Sequence, residues 1–505
     1  MVSVNPNHSE QDRRDGISRR KFIFMSTVAA GVAATGGCDS PPPPAPRVRP
    51  RAVSANDKLN IAIVGYGGKG AGDADCCADE NIVALCDPDQ KIGANVRGKY
   101  PKAVYYQDFR EMLDKEKSID ALNIATPDHL HACIASTAMR MGKHVYVQKP
   151  LTHSVYEARL LRKLAAETGV ATQMGNQGSA ENGLRRAVEV IQAGLIGQVH
   201  DVHVWTNRPI WPQALERPDG ADPIPEGFNW DLWLGPAPER PFKGKINASG
   251  GRGQYPNYYH TFNWRGRLDF GTGALGDMAC HTCNLPFRAL KLGYPTEIEA
   301  ETVELTKDSY PLQSIIRFQF PSRDGLAPVT FRWYDGGKRT GPLSHDNSNK
   351  PHADITADIL TIADNIPNSG CLIIGDKGKV FSPDDYGTTF DLKLNDEKEF
   401  TPGAAHPAVA AIPQTIPRNQ FMATGRRGGS DTAHHKEWIA ACKGGAPGYS
   451  NFDIAAYLTE IMLLGCVAMR AGKKLEWDGP GMKATNDKSA AQFVHPTFRK
   501  GWEVV

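Results

Sequence analysis

Residues 59–70 read LNIAIVGYGGKG, an apolar run that passes directly into three spaced glycines, Gly65, Gly67 and Gly70. This pattern is typical of the strand, turn and helix that bind a dinucleotide. The first glycine permits a tight turn, the second lets the backbone approach a pyrophosphate, and the third permits close packing of helix and strand. The phosphates would lie at the helix N-terminus, where free N–H groups and the helix dipole favour an anion.

A second apolar strand supports this interpretation, since a glycine-rich loop alone is often only a turn. Residues 82–86 read IVALC and lead to Asp87, seventeen residues after Gly70. A carboxylate at this strand end can accept hydrogen bonds from both ribose hydroxyls of NAD and would repel the 2′-phosphate of NADP. We therefore expect NAD. The predicted contacts from this part of the chain are Gly65, Tyr66, Gly67, Gly68, Gly70 and Asp87.

The residues before this domain predict export. The stretch SRRKFIF at 18–24 precedes a mildly apolar run and resembles a twin-arginine signal, whose machinery exports folded proteins. Residues 35–38 (TGGC) resemble a lipoprotein cleavage box, in which Cys38 would be acylated. The apolar run is shorter than the roughly 20 residues needed to span a bilayer. We expect a periplasmic protein, with contact to the inner membrane only through a lipid on Cys38.

Length and composition allow two domains behind this signal. The chain has 505 residues, 40% apolar content and a net charge of +2, and no basic stripe with interleaved aromatics indicates a nucleic-acid partner. The nine cysteines besides Cys38 are expected to be small buried residues and not a disulfide framework. We predict a signal at 1–38, a Pro/Arg-rich tether at 39–57, a Rossmann domain at 58–178 and a C-terminal substrate and oligomerisation domain at 179–505.

The first domain is predicted to be a doubly wound α/β fold. Apolar strands at 119–125 and 144–147 flank an amphipathic helix at about 130–141, a rhythm typical of a parallel sheet with helices on both faces. Ligands of such sheets bind beyond the carboxyl ends of the strands. The residues expected there as cofactor contacts are Thr126, Pro127, His131, Gln148 and Lys149.

Lys149 is the first candidate for catalysis. It follows a buried strand and precedes a proline, which directs it toward the predicted crevice. A lysine partly removed from water can have a lowered pKa and can relay a proton. The alternative is a solvated lysine at the end of a strand.

A second candidate group lies at residues 271–281, which read GTGALGDMACH. Strands from Gln198 onward predict a mainly antiparallel sheet, and a helix starting near Gly276 would place Asp277 and His281 on one face. A carboxylate beside an imidazole is an acid/base couple, although a helix cap and a packed histidine would give the same pattern. Cys280 and Cys283 lack a second pair at a useful spacing, so we predict no metal site.

These motifs together resemble the glucose-fructose oxidoreductase, inositol 2-dehydrogenase and MocA family (Gfo/Idh/MocA). The resemblance rests on the glycine turn at 65–70, the strand end at Asp87, the stretch ATPDHLH at 125–131 and the run from Gly142 to Pro150. It implies a Rossmann domain, a C-terminal α+β domain with a mainly antiparallel sheet, and an NAD-dependent oxidoreductase. We also expect a homo-oligomer.

The resemblance implies specific catalytic residues. The family places an Asp-x-x-x-His pair opposite the same lysine, so Asp277 and His281 would act with Lys149. Hydride would pass between a substrate carbon and the nicotinamide, while His281 takes the hydroxyl proton with support from the other two. The family has Glu-Lys-Pro where this chain has Gln148-Lys149-Pro150, which removes a charge near the nicotinamide ribose.

The expected substrate is a sugar, polyol or glycoside with a reactive hydroxyl. Asn176, Trp264 and Arg265 are predicted to contact it, although most aromatics between the halves would equally fill a core or a subunit contact. Two other functions stay open: a glycosidase or lyase that uses NAD transiently without net redox change, and a nucleotide-binding sensor. The related NAD-dependent N-acetylgalactosaminidases lack an equivalent of Lys149, so its presence favours the oxidoreductase.

Overall fold

The computed structural model describes residues 48–244, 258–422 and 429–504. The predicted signal, Cys38 and the first part of the tether lie outside these residues.

The first six strands form one parallel sheet in the order β3-β2-β1-β4-β5-β6. Their apolar runs are buried on both faces, as is usual in parallel sheets. The order reverses between β1 and β4, which is where ligands of such sheets bind. The predicted Rossmann fold is confirmed. The strands are β1 (Asn60–Val64), β2 (Asn81–Cys86), β3 (Val104–Tyr106), β4 (Ala121–Ile124), β5 (His144–Val147) and β6 (Thr172–Met174).

Two of the five helices of this domain begin at a side-chain cap, Asp108 for the third and Ser154 for the fifth. Ser154 and Glu157 form a capping box at the start of the fifth helix, and Gly169 ends that helix with a φ of 68°. The predicted helix at 130–141 begins two residues earlier, at Asp128. The helices are α1 (Gly68–Cys76), α2 (Ala94–Lys99), α3 (Phe109–Lys115), α4 (Asp128–Arg140) and α5 (Val155–Thr168).

The second sheet has ten strands in the order β16-β15-β14-β13-β7-β10-β9-β8-β17-β18. It is mainly antiparallel, as predicted, with one parallel pair between β7 and β10. A separate hairpin pairs β11 with β12. The strands are β7 (Val199–Trp205), β8 (Glu297–Val303), β9 (Gln313–Phe320), β10 (Val329–Gly336), β11 (Arg339–Gly341), β12 (Ser344–His345), β13 (Gly370–Gly375), β14 (Gly378–Ser382), β15 (Asp391–Leu394), β16 (Thr401–Pro402), β17 (Leu475–Asp478) and β18 (Lys483–Ala484).

Nine further α-helices lie in the described part of the chain after the first domain. Eight of the nine described cysteines are buried among these elements and those of the first domain. The helices are α6 (Asn182–Gln192), α7 (Trp230–Leu234), α8 (Gly273–Thr282), α9 (Asn284–Ala289), α10 (Ala353–Thr356), α11 (Pro407–Ala410), α12 (Gly429–Cys442), α13 (Phe452–Ala471) and α14 (Ala491–Val494).

Helix α13 lies in the centre of the molecule. It begins at Phe452, is buried on nearly all sides, and ends at Gly472, whose φ is 66°. Among the described residues it is the one helix long and apolar enough to cross a bilayer, yet 83% of its apolar stretch is buried. It is therefore a core helix.

Helix α12 returns from the end of the second half of the chain to the first sheet. Its residues Trp438, Ile439 and Cys442 belong to the same apolar cluster as Leu59 and Ile61 of the first domain. The predicted domain boundary after residue 178 thus separates the strands of the first sheet from those of the second. Helix α12 follows this boundary in the sequence but packs with the first domain.

Candidate active site

A cavity of about 600 Å³ opens at the carboxyl ends of the first sheet and is lined also by residues of the second domain. From the first domain it is lined by Gly65, Gly67, Gly68, Lys69, Asp87, Thr126, Pro127, Gln148 and Lys149, and from the second by Trp264, Arg265, His281 and Tyr386. A cavity of about 700 Å³ lies at the opposite edge of that sheet, beside His144 and Thr172, and contains none of the predicted site residues.

The glycine turn forms a cradle that side chains would block. Gly65 has a φ of +77°, and a Cβ there would lie 2.7 Å from the carbonyl oxygen of Ala125. A Cβ on Gly70 would lie 1.9 Å from the carbonyl oxygen of Gly65. Among the described residues no side chain caps α1 at Gly67, and the hydroxyl of Thr126 is buried without a partner. These free donors fit the pyrophosphate of a dinucleotide.

Asp87 lies at the end of β2, where a ribose would bind. It is 6% exposed, and its Oδ1 accepts a hydrogen bond of 3.0 Å from the backbone N–H of Asp89. Burial raises the pKa of Asp87 to about 7, against the opposing effects of that hydrogen bond and the charge of His260. The position fits an acceptor for ribose hydroxyls.

The contacts of Gln148 explain why this chain has glutamine where the Glu-Lys-Pro pattern has glutamate. Its Nε2 donates to Oδ2 of the fully buried Asp73 at 2.8 Å, and Lys69 pairs with the other oxygen of Asp73 at 2.9 Å. A glutamate at position 148 would place a second carboxylate against Asp73. The amide of Gln148 therefore suits the buried Asp73 better than a carboxylate would.

The surroundings of two predicted cofactor contacts limit what each can offer a ligand. The Tyr66 ring packs in the core against Tyr105 at 6.2 Å, so only its backbone can reach a ligand. Both ring nitrogens of His131 face carbonyl oxygens, those of Pro150 at 2.8 Å and Thr126 at 2.9 Å. His131 thus joins the ends of β4 and β5 and positions the residues that line the cavity.

Lys149 and Asp277 meet across the two domains. Nζ of Lys149 lies 2.8 Å from Oδ1 of Asp277, and Nε of Arg265 lies 3.2 Å from the same oxygen. Burial alone would raise the pKa of Asp277, but the charges of Lys149 and Arg265 outweigh it and lower the pKa to about 2. Asp277 is therefore a permanent carboxylate.

His281 lies one turn after Asp277 on α8, and its ring lines the cavity. The ring packs perpendicular to that of Tyr386 at 5.1 Å, and its Nδ1 is buried without a hydrogen-bond partner in the described part of the chain. Burial, with the charge of Lys149, lowers the pKa of His281 well below its usual value, so the ring is neutral.

The relation between Asp277 and His281 differs from the expected one. The sequence predicted that the carboxylate would orient the imidazole, but within the described ranges no hydrogen bond joins the two side chains. Asp277 instead binds Lys149 and Arg265. The spacing of four residues correctly placed both on one helix face, but it could not reveal partners that come from other elements. The described ranges also contain no cluster of His, Cys, Asp or Glu suited to a metal.

The predicted substrate contacts divide into two groups. Trp264 and Arg265 line the cavity, with the guanidinium 4.3 Å from the centre of the indole ring. The side chain of Asn176, by contrast, is fully buried. Its Nδ2 donates a hydrogen bond of 2.9 Å to the carbonyl oxygen of Cys280. It therefore positions α8, which corrects the expectation of a substrate contact. Tyr386 was missed because it lies in a loop between β14 and β15 with no motif.

Comparison with known proteins finds similarity mainly in the first domain. A family model described as "Oxidoreductase family, NAD-binding Rossmann fold" (GFO_IDH_MocA) matches residues 59–176. A scyllo-inositol 2-dehydrogenase (NAD(+)) of Bacillus subtilis is 30% identical over 142 residues, which are 28% of this chain and 38% of that protein. A glycosyl hydrolase family 109 protein of Shewanella amazonensis is 30% identical over 161 residues, covering 28% of this chain and 35% of that protein.

The chain therefore spans little more than a third of the length of these two relatives. A solved structure, the WlbA dehydrogenase of Bordetella pertussis in complex with NADH and UDP-GlcNAcA, aligns with a TM-score of 0.55 at 16% identity. The alignment covers 84% of this chain and 99% of that one, and it shows a shared fold across both domains.

Proposed function

We propose that this chain, whose residues 59–176 form an NAD-binding Rossmann domain of the oxidoreductase family, is an NAD-dependent oxidoreductase acting on a hydroxyl of a sugar, polyol or glycoside. One observation carries the proposal. Lys149, Arg265 and His281 line the same cavity as the glycine cradle and Asp87, and Asp277 binds two of them from behind. The inositol dehydrogenase relative and the sugar-nucleotide neighbour support the substrate class.

The residues of the cavity suit the movement of a hydroxyl proton. Bound NAD would exchange a hydride with the carbon that carries the hydroxyl. Two of the three N–H donors of Lys149 go to Oδ1 and the backbone carbonyl oxygen of Asp277, and the third can hold the hydroxyl oxygen. Its positive charge favours loss of the hydroxyl proton, which the neutral ring of His281 accepts. In the reverse direction His281 returns the proton. Asp277 stays ionised throughout and fixes Lys149.

A second function is supported by the glycosyl hydrolase relative. In a glycosidase or lyase of this type, transient oxidation would make a neighbouring C–H acidic, elimination would follow, and reduction would restore the cofactor. Product analysis separates the two functions. We expect a keto product together with a reduced partner. A cleaved glycoside without net redox change would support the second function and contradict the first.

We further propose that the protein works in the periplasm with retained cofactor. The support is the sequence at 18–24, which resembles a twin-arginine signal and would export the folded, loaded protein, and the lining of the cavity by both domains. Free NAD is expected to be scarce outside the cytoplasm. The test is to purify the exported protein from a fractionated cell, denature it and search for released NAD(H) by mass spectrometry. An empty site in correctly exported protein would contradict retention.

Lipidation at Cys38 and assembly into a homo-oligomer remain predictions. Mass analysis of the mature N-terminus would test the first, and light scattering of the purified protein would test the second.

A further inference from the structure

The loop after β2 is joined to the second domain by a set of backbone hydrogen bonds. Residues 227–229, here the bridging segment, pair with residues 88–90 directly after Asp87. The N–H of Gln90 donates to the carbonyl oxygen of Gly227 at 3.0 Å, and the N–H of Asn229 donates to that of Pro88 at 2.9 Å. An antiparallel bridge links Asp89 and Phe228 between them.

A side chain of the first domain strengthens this junction. Nε2 of Gln107 donates to the carbonyl oxygens of both Pro88 and Gly227, at 2.9 and 3.1 Å. The two carbonyl groups belong to the two sides of the junction. The second domain is thus fixed against the strand end at which a dinucleotide places its adenosine ribose.

His260 projects from the second domain into this end of the cavity. It lines the cavity together with Asp87, Pro88 and Ile92. Its ring stacks on Phe228 at 5.0 Å, and its Nε2 lies 3.1 Å from Oδ2 of Asp89. The ring is therefore held on one face and at one nitrogen.

These contacts determine what His260 can offer a ligand. A carboxylate oxygen can only accept, so Nε2 carries a proton and Nδ1 is the ring nitrogen left for a ligand. Among the described residues Nδ1 has no hydrogen-bond partner. The backbone N–H of the same Asp89 donates to Asp87. Asp89 thus holds both the ribose-binding carboxylate and the imidazole in place.

We propose that His260 is a cofactor-binding residue that contacts the adenosine half of NAD, so that both domains hold this half of the cofactor. The inference rests on the proposed function, since it needs NAD in the cavity. It assigns the bridging segment a role in retention: the adenosine end leaves only when the contacts of residues 88–90 with the second domain open.

The test uses ligands that report on the two ends of the cavity separately. ADP-ribose contains the adenosine half, and nicotinamide mononucleotide contains the other half. We expect His260→Ala to weaken ADP-ribose binding by about tenfold, the upper range for one hydrogen bond between neutral groups. Binding of nicotinamide mononucleotide should stay within about twofold by the same measure. Calorimetry of the full chain measures both, and displacement kinetics should show faster release of NAD.

A matched control is His345→Ala. Nε2 of His345 bonds to the carbonyl oxygen of Pro209 at 2.7 Å in the second domain, outside the cavity. It should leave ADP-ribose affinity unchanged. Asp89→Asn retains the His260 ring but weakens its fixation, and it should also accelerate NAD release. If His260→Ala lowers the melting temperature of the cofactor-free protein, Asp89→Asn is the variant whose ADP-ribose affinity and NAD release are compared with the wild type.

Three outcomes decide whether His260 contacts the adenosine half of NAD. Weaker ADP-ribose binding in the His260 or Asp89 variant, with the His345 control unchanged, supports the inference. Unchanged ADP-ribose affinity and NAD release in both variants overturn it, while NAD turnover by the wild type would leave the proposed function standing. A wild-type protein that binds no NAD at all contradicts both.

Discussion

Asp277 is a single carboxylate between two cations, and this arrangement determines its role. Because Lys149 and Arg265 both bind its Oδ1, the carboxylate balances their charge and fixes their positions, and it does not take up a proton at neutral pH. The neutral His281 is left to accept the proton. Charge compensation and proton transfer are thus carried by different residues of the same helix.

We expect Lys149→Met, Asp277→Asn and His281→Ala each to lower turnover by about 10²–10⁴-fold, the usual contribution of general acid/base groups. NAD affinity, measured by titration, should change little, since none of the three forms the glycine cradle. Lys163→Met is a suitable control because Lys163 is an exposed residue of α5. Near-full turnover in any one of the three variants would show that its assigned role is wrong.

We expect NAD to bind more tightly than NADP, with an affinity that depends on Asp87. The pKa of Asp87 is raised to about 7, so the carboxylate is ionised above that pH and protonated below it. NAD affinity should therefore rise between pH 6 and 8, and discrimination against NADP should be strongest at pH 8. Titrations of both cofactors with the wild type and Asp87→Asn test this. Tighter NADP binding at pH 8, or the same pH dependence in the variant, would contradict the assignment.

Among the helices and strands, the features that could be predicted were those that depend on neighbouring residues in the sequence. The strand at 144–147 was predicted with its observed ends, and the turn at Gly65 follows from steric needs that are visible in the residues themselves. The side-chain partners of Asn176, the carbonyl of Cys280 and the hydroxyl of Ser450, are 104 and 274 residues away, so no spacing reveals them. Burial of α13 on nearly all sides likewise depends on which elements surround it.

The packing of α1 gives a matched pair of glycine substitutions. Gly70→Ala places a Cβ 1.9 Å from the carbonyl oxygen of Gly65, whereas Gly72→Ala on the same helix meets no atom within 4 Å. We expect Gly70→Ala to abolish NAD binding and to destabilise the protein. Gly72→Ala should stabilise it by about 0.5–1 kcal/mol, because alanine favours the helix. Urea denaturation and NAD titration distinguish the two. Intact NAD binding in Gly70→Ala would refute the cradle.

At the scale of the molecule, Asp128 joins the starts of two helices in different domains. It is the first residue of α4, and its Oδ2 accepts a hydrogen bond of 2.8 Å from Thr272, the residue before α8. Burial, with the nearby charge of Asp277, raises the pKa of Asp128 from its ordinary 3.8 to about 7. The junction of the domains is thus sensitive to pH.

We expect the stability of the wild type relative to Asp128→Asn to fall as pH rises from 4 to 7. In this range the unfolded chain ionises Asp128 and the folded chain does not, so unfolding releases a proton. The slope should be at most about 1.4 kcal/mol per pH unit, the limit for one proton. Above pH 7 the difference should be constant. Urea denaturation of both proteins from pH 4.5 to 8 measures it, and parallel curves throughout would contradict the assigned pKa.

The return of α12 to the first sheet has a consequence for synthesis on the ribosome. Domains usually fold as units while the chain is being made, the N-terminal one first. Here the apolar cluster that contains Leu59 and Ile61 stays incomplete until Trp438 and Ile439 have been translated. A truncated product that lacks residues 429–442 would display this incomplete cluster to chaperones and proteases. The dinucleotide domain would therefore reach its finished state only after residues 429–442 have been made.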